Sequence, residues 1–446
     1  MIFKNQDKII ENGKTDILKK IRRDILSIFS SAINSVDPYK SVKSKFDNNK
    51  IKINSKIFEI SDYNNIYLVG FGKASVGMAQ AVCDSIEIKK GAVVTNDKTN
   101  KVKNSNIETY IGSHPIPEKG NIRATEKIIE IIKKCKKNDF LIVLISGGGS
   151  ALLSKPLVGL KDLQQTTNLL LKSGANINEI NTIRKHLSEV KGGKLATFCN
   201  CTMVSLIISD IIDDPIDFIA SGPTYPDKTT FSDASSILKK YNLENKIPEN
   251  ANKIIKNGIK GIIPETPKKE NIAFKKVFNF IVANNKIACK SAKDKSEKLG
   301  YQTILLTTSL EGEAKNISKF LVEKAKNFLT DEKRFMFISG GETTVTIKGK
   351  GKGGRNQEMV LSIVNKISDS NIVFSSFATD GIDGICDAAG AIADKYSYKR
   401  ALNKNLDVNE FLNNNNSYEF FKKLDDLFIT GPTGTNVMDI QILVKF

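Results

Sequence analysis

The chain has 446 residues, of which 40 % are hydrophobic and 26 % are charged, so it is long enough for two or three globular domains. Aromatic residues make up only 7 % and tryptophan is absent, which disfavours single-stranded nucleic-acid binding by base stacking. The net charge is +18, but the lysines are scattered along helix-like stretches, so a solvated basic surface explains them better than a nucleic-acid partner.

The cysteines and the apolar runs favour a cytoplasmic protein. The six cysteines include one close pair, Cys199 and Cys201, and no second pair or histidine cluster completes a zinc site. Reduced thiols in a cytosolic protein are the simplest interpretation. The first ten residues lack the hydrophobic region of a signal peptide, and apolar runs such as Phe140–Ile145 are too short to cross a bilayer. We therefore predict no membrane partner.

Residues 15–35 have the apolar spacing of a helix that begins after a threonine. Short apolar segments followed by glycine-rich or acidic turns then predict strands at 66–70, 140–146, 203–209, 277–283, 301–307, 334–339 and 371–378. Because these strands are apolar on both faces and alternate with helices, we predict an α/β fold with mainly parallel sheets. The last stretch, 427–446, has the pattern of a β-hairpin.

A composition shift with three prolines at 245–272 predicts a domain boundary, which we place between residues 265 and 266. In open α/β sheets, ligands bind at the carboxyl ends of the strands. The glycine and acidic turns of this chain follow the predicted strands, so we expect them to form the functional site.

The first glycine turn contains Gly70, Gly72 and Lys73. Backbone N–H groups at such a strand-to-helix turn can bind an anion, and the lysine adds a positive charge. The next glycine is Gly77, so the spacing matches neither a Walker loop nor the dinucleotide fingerprint. A tight turn with a surface lysine is the alternative interpretation.

Two further glycine loops favour phosphate binding. The first of these loops contains three consecutive glycines, Gly147, Gly148 and Gly149, which let a ligand approach the backbone closely. A strained turn and a nucleophilic Ser150 are alternatives, although the absence of G-x-S-x-G argues against a serine triad. In the second of these loops, Arg355 stands at the predicted start of a helix, where it suits a transferring phosphoryl group. A flexible basic hairpin tip is the alternative interpretation of that loop. The candidate residues are Ser146, Gly147, Gly148, Gly149 and Ser150 in one loop and Gly340, Gly341, Glu342, Thr343, Arg355 and Asn356 in the other.

Acidic turns follow two of the strands. Asp210 and Asp214 follow one strand, Asp380 follows another, and carboxylate oxygens are the ligands that Mg²⁺ prefers. A helix cap or a solvated loop is the alternative for each turn. For binding an anionic substrate we single out His114, Arg184, Lys185 and Lys191.

Read in order, the motifs resemble the bacterial and archaeal-type glycerate 2-kinase family, whose C-terminal part is called the MOFRL domain. The resemblance covers roughly residues 65–445. The matching stretches are GFGKAS (70–75), SHPIPE (113–118), LISGGGSALL (144–153), NTIRKHLSEVKGGKLA (181–196), SDIIDDPIDFIASGPTYPD (209–227), SGGETTVT (339–346), GGRNQEM (353–359), TDGIDG (379–384), DAAGA (387–391) and TGPTGTNVMDI (430–440).

The resemblance implies an N-terminal Rossmann-like, doubly wound domain (1–265), a C-terminal MOFRL-type α/β domain (266–446) and an active site in the cleft between them. It implies that Lys73 and Arg355 are the active-site cations. Glu342 and Asn356 become residues for nucleotide, metal or substrate.

The expected reaction transfers a phosphoryl group from ATP to D-glycerate and gives 2-phosphoglycerate. We expect the glycine loops to bind ATP, Asp210, Asp214 and Asp380 to hold Mg²⁺, and Asp210 to act as the base if one is needed. A monomer or a homodimer is expected. The alternatives are a glycerate kinase that gives 3-phosphoglycerate, an NAD(P)H-dependent hydroxypyruvate reductase and a nucleic-acid-binding protein.

Overall fold

Helices and strands alternate along most of this computed structural model, which describes residues 2–328 and 334–446. The helices are α1 (Gln6–Glu11), α2 (Asp16–Ser35), α3 (Pro38–Lys43), α4 (Ser75–Cys83), α5 (Lys119–Lys134), α6 (Gly149–Leu152), α7 (Leu160–Lys172), α8 (Ile177–His186), α9 (Phe231–Lys240), α10 (Glu249–Ile259), α11 (Asn285–Lys298), α12 (Ala314–Lys326), α13 (Arg355–Leu361), α14 (Ser397–Leu402), α15 (Val408–Asn413) and α16 (Ser417–Leu424). The strands are β1 (Phe46–Asp47), β2 (Lys50–Ile53), β3 (Lys56–Glu59), β4 (Ile66–Phe71), β5 (Lys90–Thr95), β6 (Ile107–Ile111), β7 (Phe140–Ile145), β8 (Thr202–Ile208), β9 (Val277–Ala283), β10 (Gln302–Leu310), β11 (Phe335–Gly341), β12 (Ile372–Ala378), β13 (Gly390–Ala393), β14 (Leu427–Phe428) and β15 (Asp439–Lys445).

The chain divides into two compact units that differ from the predicted domains. The central unit is Pro38–Val282, and the composite unit combines Met1–Asp37 with Ala283–Phe446. The predicted boundary at 265/266 separates β9 from the sheet to which it belongs, and it places α2 apart from α11, against which α2 packs. Long-range packing of this kind leaves no signal in local composition.

The central unit contains a six-stranded sheet in the order β6-β5-β4-β7-β8-β9. The pairs of β4 with β5 and β7, of β5 with β6 and of β7 with β8 are all parallel, as predicted. Strands β4 and β7 are buried along their whole length, which explains their unbroken apolar sequences. The winding direction reverses between β4 and β7, and such a switch point creates a crevice at the carboxyl ends of the two strands. A small antiparallel sheet of β1, β2 and β3 precedes it.

The composite unit contains a second six-stranded sheet, in the order β10-β11-β15-β12-β13-β14. The α/β class is confirmed, but this sheet is mixed: β10 and β11 are parallel, whereas β15 is antiparallel to both of its neighbours. The predicted C-terminal hairpin is wrong, because β14 pairs with β13 at the edge while β15 lies in the centre. Two adjacent apolar runs cannot reveal which partner each run chooses.

The N-terminal helices supply part of the core of the composite unit. The ring of Phe29 in α2 stacks on Phe377 at a centroid distance of 4.9 Å, and Phe3 packs edge-on against the same ring. Thr15 caps the start of helix α2, because its hydroxyl accepts a hydrogen bond from the Leu18 N–H. None of the helices in the described part of the chain is long and apolar enough to cross a membrane.

Candidate active site

Three sequence-predicted loops meet at the carboxyl edge of the central sheet. Lys73 follows β4, Ser146 follows β7 and Asp210 follows β8. The Lys73 N–H donates to the Gly147 carbonyl at 2.9 Å, and the Ala74 N–H donates to Ser146 Oγ at 3.1 Å. The first two loops are therefore locked together.

Gly72 makes this interlocking possible. Its φ is +129°, and a side chain at this position would collide with Ser146. The first glycine turn therefore serves to bring Lys73 over the second loop.

Asp210 lies directly against Gly147, since a side chain there would meet its carboxylate. Burial raises the pKa of Asp210, while the positive charge of Lys73 acts to lower it. Lys73 itself is exposed. The loop glycines thus bring a half-buried carboxylate and an accessible ammonium group to the same place.

His114 lies against the second loop at Gly148. A Cβ placed on Gly148 would stand 3.1 Å from the His114 ring and 3.2 Å from the stem of Lys73. Burial and then the charge of Lys73 lower the pKa of His114, which favours a neutral imidazole. Asn121 fixes this segment, because its Nδ2 donates to the carbonyls of Ser113 and Ala151 at 2.9 Å each. The structure therefore brings Lys73, His114 and Asp210 together around one glycine loop.

The three cations of the α8 region are engaged with protein oxygens. Lys191 Nζ donates to the carbonyls of Ser150 and Leu153 at 2.6 and 3.0 Å, and Arg184 donates to the Ser150 carbonyl at 3.3 Å. Burial holds the pKa of Lys191 well below its ordinary value. Lys185 is buried and pairs with Asp227 at 3.2 Å. Lys191 and Arg184 thus support the glycine loop, and substrate binding by these cations stays a prediction.

A second group of predicted residues lies in the composite unit, at one edge of its sheet. The ends of β11 and β12 and the start of β15 coincide there, because Gly341 and Ala378 both pair with Asp439. Arg355 donates through Nε and Nη2 to Asp439 at 2.5 and 3.0 Å, and its Nη1 lies 2.7 Å from Glu342. This fork holds the guanidinium in a fixed orientation.

Other predicted residues of this edge have structural contacts. Gly340 packs against Asn285 and Cys289, and Gly341 packs against the backbone of Leu310, so neither position has room for a side chain. The hydroxyl of Thr343 faces the sulfur of Met359 at 3.6 Å. Asp380 Oδ1 accepts the Ile382 N–H at 3.0 Å, and Asp214 has a left-handed φ of 54°. Ligand binding by these residues stays a prediction.

Asp383 organises the start of α13, which carries Arg355. Its buried carboxylate accepts the backbone N–H groups of Asn356 and Gln357 at 3.1 and 2.9 Å and both of their side-chain amides. Burial raises the pKa of Asp383 to about 6, against the opposing effect of these hydrogen bonds. Asn356 also accepts a hydrogen bond from Ser376 at 2.5 Å and is fully buried. Its side chain therefore belongs to this network.

We expect Asp383→Asn to lower the free energy of unfolding by about 2 kcal/mol, because the new amide faces N–H donors and leaves buried groups unpaired. Denaturant unfolding measures the loss. Asp387→Asn in the same loop is the control, since Asp387 is exposed and accepts one hydrogen bond, from Tyr418. Equal losses in both variants would contradict the capping role of Asp383.

Comparison with known proteins decides the family. A model described as "Domain of unknown function (DUF4147)" matches residues 24–256, and the MOFRL family model matches residues 335–439. Glycerate 2-kinase from Pyrococcus horikoshii is 42 % identical over 440 residues, covering 96 % of this chain and 98 % of that protein. The chain belongs to the glycerate 2-kinase family.

Further members of the glycerate 2-kinase family extend the match. D-glycerate 2-kinase from Thermotoga maritima is 36 % identical and covers 95 % of this chain and 98 % of its own length. A crystal structure of glycerate kinase from Thermotoga maritima superposes with a TM-score of 0.85 at 35 % identity, over 96 % of this chain and all of that chain. The likeness to the family therefore extends over both compact units.

Sequence reasoning within the glycerate 2-kinase family motifs missed several residues of the two sites. The TGTNVMDI motif predicts no role for Asp439, because the partner of this residue, Arg355, lies 84 positions earlier. Ser221 was also missed; its hydroxyl lies 2.9 Å from that of Ser150, and its φ is +63°. The sequence around Asn121, which follows the SHPIPE motif, does not indicate that its side chain holds the His114 segment.

Proposed function

We propose that this protein transfers a phosphoryl group from ATP to D-glycerate and produces 2-phosphoglycerate. Relatives with these activities in their names match nearly the whole chain. The observation that carries the proposal is the placement of exposed Lys73 and half-buried Asp210 against the Ser146–Ser150 loop, at the switch point of the central sheet. Cations and positioning supply most of the catalysis in phosphoryl transfer.

Each residue has a role that follows from its surroundings. Lys73 offers an ammonium group to phosphate oxygens, and Arg355, held by Asp439, offers a rigid guanidinium to the same kind of anion. Asp210 has a raised pKa, which suits a group that accepts the proton of the glycerate hydroxyl as the new P–O bond forms. Neutral His114 beside Lys73 offers a hydrogen bond to the substrate.

A magnesium ion fits this site only with help from the nucleotide. Within residues 2–328 and 334–446 there is no cluster of three or more histidine, cysteine, aspartate or glutamate side chains that holds a metal. Mg²⁺ commonly uses one or two carboxylates and completes its shell with phosphate oxygens and water. Asp210 would supply such a carboxylate in the central unit, with Asp214 and Asp380 as further candidates, and the ion would neutralise phosphate charge.

The direct test is incubation with ATP, Mg²⁺ and D-glycerate, followed by separation of 2- and 3-phosphoglycerate. We expect 2-phosphoglycerate and a loss of turnover with EDTA. Formation of 3-phosphoglycerate would correct the position of transfer. Oxidation of NADH by hydroxypyruvate without ATP would instead establish the reductase. The cytoplasmic location and the monomeric or homodimeric state stay predictions.

We expect Lys73→Met to lower kcat/KM by about 100-fold, because one positioned cation is lost from the phosphate site. Steady-state kinetics measures the change, and unfolding curves check that the fold is kept. Lys103, an exposed lysine of the same unit, provides the control Lys103→Met. Unchanged kinetics of Lys73→Met would remove Lys73 from the mechanism.

A further inference from the structure

A pocket of about 490 Å³ in the composite unit includes Arg355 among its lining residues. Its other walls carry Val345, Ile347, Ile385 and Glu358. Pockets of this size that combine apolar walls with a few polar groups are typical small-molecule sites. Among the residues that line this pocket, Arg355 has a role proposed above, and Glu342 and Thr343 are candidates for ATP binding from the sequence.

Two isoleucines of this pocket are unusually exposed. The exposed fraction is 79 % for Ile347 and 81 % for Ile385, the two largest values among the exposed large apolar residues of the described chain. A single exposed isoleucine needs no explanation, but two that line one pocket form an apolar surface that a ligand can cover.

The wall that carries Ile347 is held rigidly. The Thr346 N–H donates to Glu313 at 3.1 Å, and the Lys348 N–H donates to Asn415 Oδ1 at 2.7 Å. Asn415 also donates to the Thr346 carbonyl at 3.3 Å and to Glu358 Oε2 at 2.9 Å. The backbone on both sides of Ile347 is therefore fixed to the floor of the pocket. A preorganised apolar wall loses little conformational entropy when a ligand binds.

The segment that carries Ile385 is fixed by close backbone contacts. Gly384, with a φ of +70°, packs against the backbone of Gly353, and the Asp383 N–H donates to the Ala388 carbonyl at 2.8 Å. These contacts place Ile385 at the pocket although its side chain is open to solvent.

Glu358 supplies a buried acceptor. It is 3 % exposed, and Asn415 is the one hydrogen-bond donor to its carboxylate that we find in the described part of the chain. The Glu358 carboxylate can therefore accept a further hydrogen bond, from an N–H group of a ligand. Arg355, in contrast, is 31 % exposed at its side chain and offers positive charge.

We propose that this pocket binds the nucleobase of the phosphoryl donor, an aminopurine such as adenine, with its ring between Ile347 and Ile385 and its amino group donating to Glu358. The inference rests on the proposed function, because it takes the ligand to be a nucleoside triphosphate. The cation at Arg355 then suits the anionic part of the same molecule.

The first test is the double variant Ile347→Ser/Ile385→Ser, with Ile262→Ser as the control, since Ile262 is 67 % exposed and lies outside the pocket. Calorimetric titration with ADP in the absence of glycerate measures binding without catalysis. We expect ADP affinity to fall about tenfold in the double variant and to stay unchanged in the control. In kinase assays KM for ATP rises similarly, while KM for glycerate stays within about twofold. Unchanged ADP affinity in a folded double variant would overturn the inference.

The second test examines the amino group. We expect Glu358→Gln to shift the ratio of ADP to IDP affinity by about tenfold towards IDP, because a glutamine amide donates to the 6-oxo group of hypoxanthine. An unchanged ratio would remove Glu358 from base recognition, and if this variant fails to fold the isoleucine variants decide. Failure of the proposed function is distinguishable: a protein that does not phosphorylate glycerate, yet loses ADP affinity in the double variant, would keep the pocket and lose the reaction.

Discussion

Arg355→Ala is expected to lower kcat roughly 1,000-fold, the scale seen when a cation that stabilises a transferring phosphoryl group is removed. The guanidinium is held by two hydrogen bonds to Asp439 and lies beside Glu342, so its orientation is set before any ligand arrives. Preorganised charge of this kind acts mainly on the transition state. Steady-state kinetics with varied ATP and D-glycerate measures the loss.

The variant also leaves the buried carboxylate of Asp439 without its arginine partner, which destabilises the fold. A loss of activity could then come from the lost stability as well as from the lost cation. The double variant Arg355→Ala/Asp439→Asn removes that unpaired charge. We expect it to recover stability but not turnover. If turnover returns together with stability, Arg355 has only a structural role. Arg355→Lys keeps the charge without the fork and should remain strongly impaired.

Arg22→Met is expected to cost about 3–5 kcal/mol of stability, because it breaks a buried ion network. Arg22 donates to Asp394 at 2.6 Å and to Asp426 at 2.8 Å, and all three side chains are fully buried. It also donates to the carbonyl of Ile9 at 2.9 Å. Arg400 still pairs with Asp426 in the variant, but within the described residues the Asp394 carboxylate keeps only the hydrogen bond from the Tyr396 N–H.

Arg23→Met is the matched control, since Arg23 is the next residue of α2 and is exposed. We expect it to change the free energy of unfolding by less than about 0.5 kcal/mol. Denaturant unfolding followed by far-UV circular dichroism compares the two variants. Similar unfolding midpoints for both would show that the buried network contributes little.

Strand positions were largely predictable because buried parallel strands have continuous apolar sequences. The predicted segments around β4, β7, β8 and β12 match the structure within one or two residues. Pairing was not predictable where strands run antiparallel, and β15 shows why. Its sequence, DIQILVK, includes three polar residues although six of its seven positions are buried, and only its long-range partners place it between β11 and β12.

The loops of the candidate site were predictable in the central unit, because each follows its own parallel strand and all such ends share one edge. Lys73, the second glycine loop and Asp210 meet for this reason. The supporting residues were not predictable. Asn121, Asp383 and Asp439 act through hydrogen bonds to residues distant in sequence, and a polar residue in a loop gives no indication of its partner.

The composite unit places the chain's earliest helices and its latest strand in one fold, and this has a consequence for biosynthesis. Helix α2 emerges from the ribosome hundreds of residues before β15, the central strand of its sheet, is made. The central unit is synthesised in one continuous stretch, and it is complete before the strands of the other sheet are made. During translation the apolar face of α2 therefore stays exposed until its packing partners are synthesised. We expect chaperones to bind this segment in the meantime.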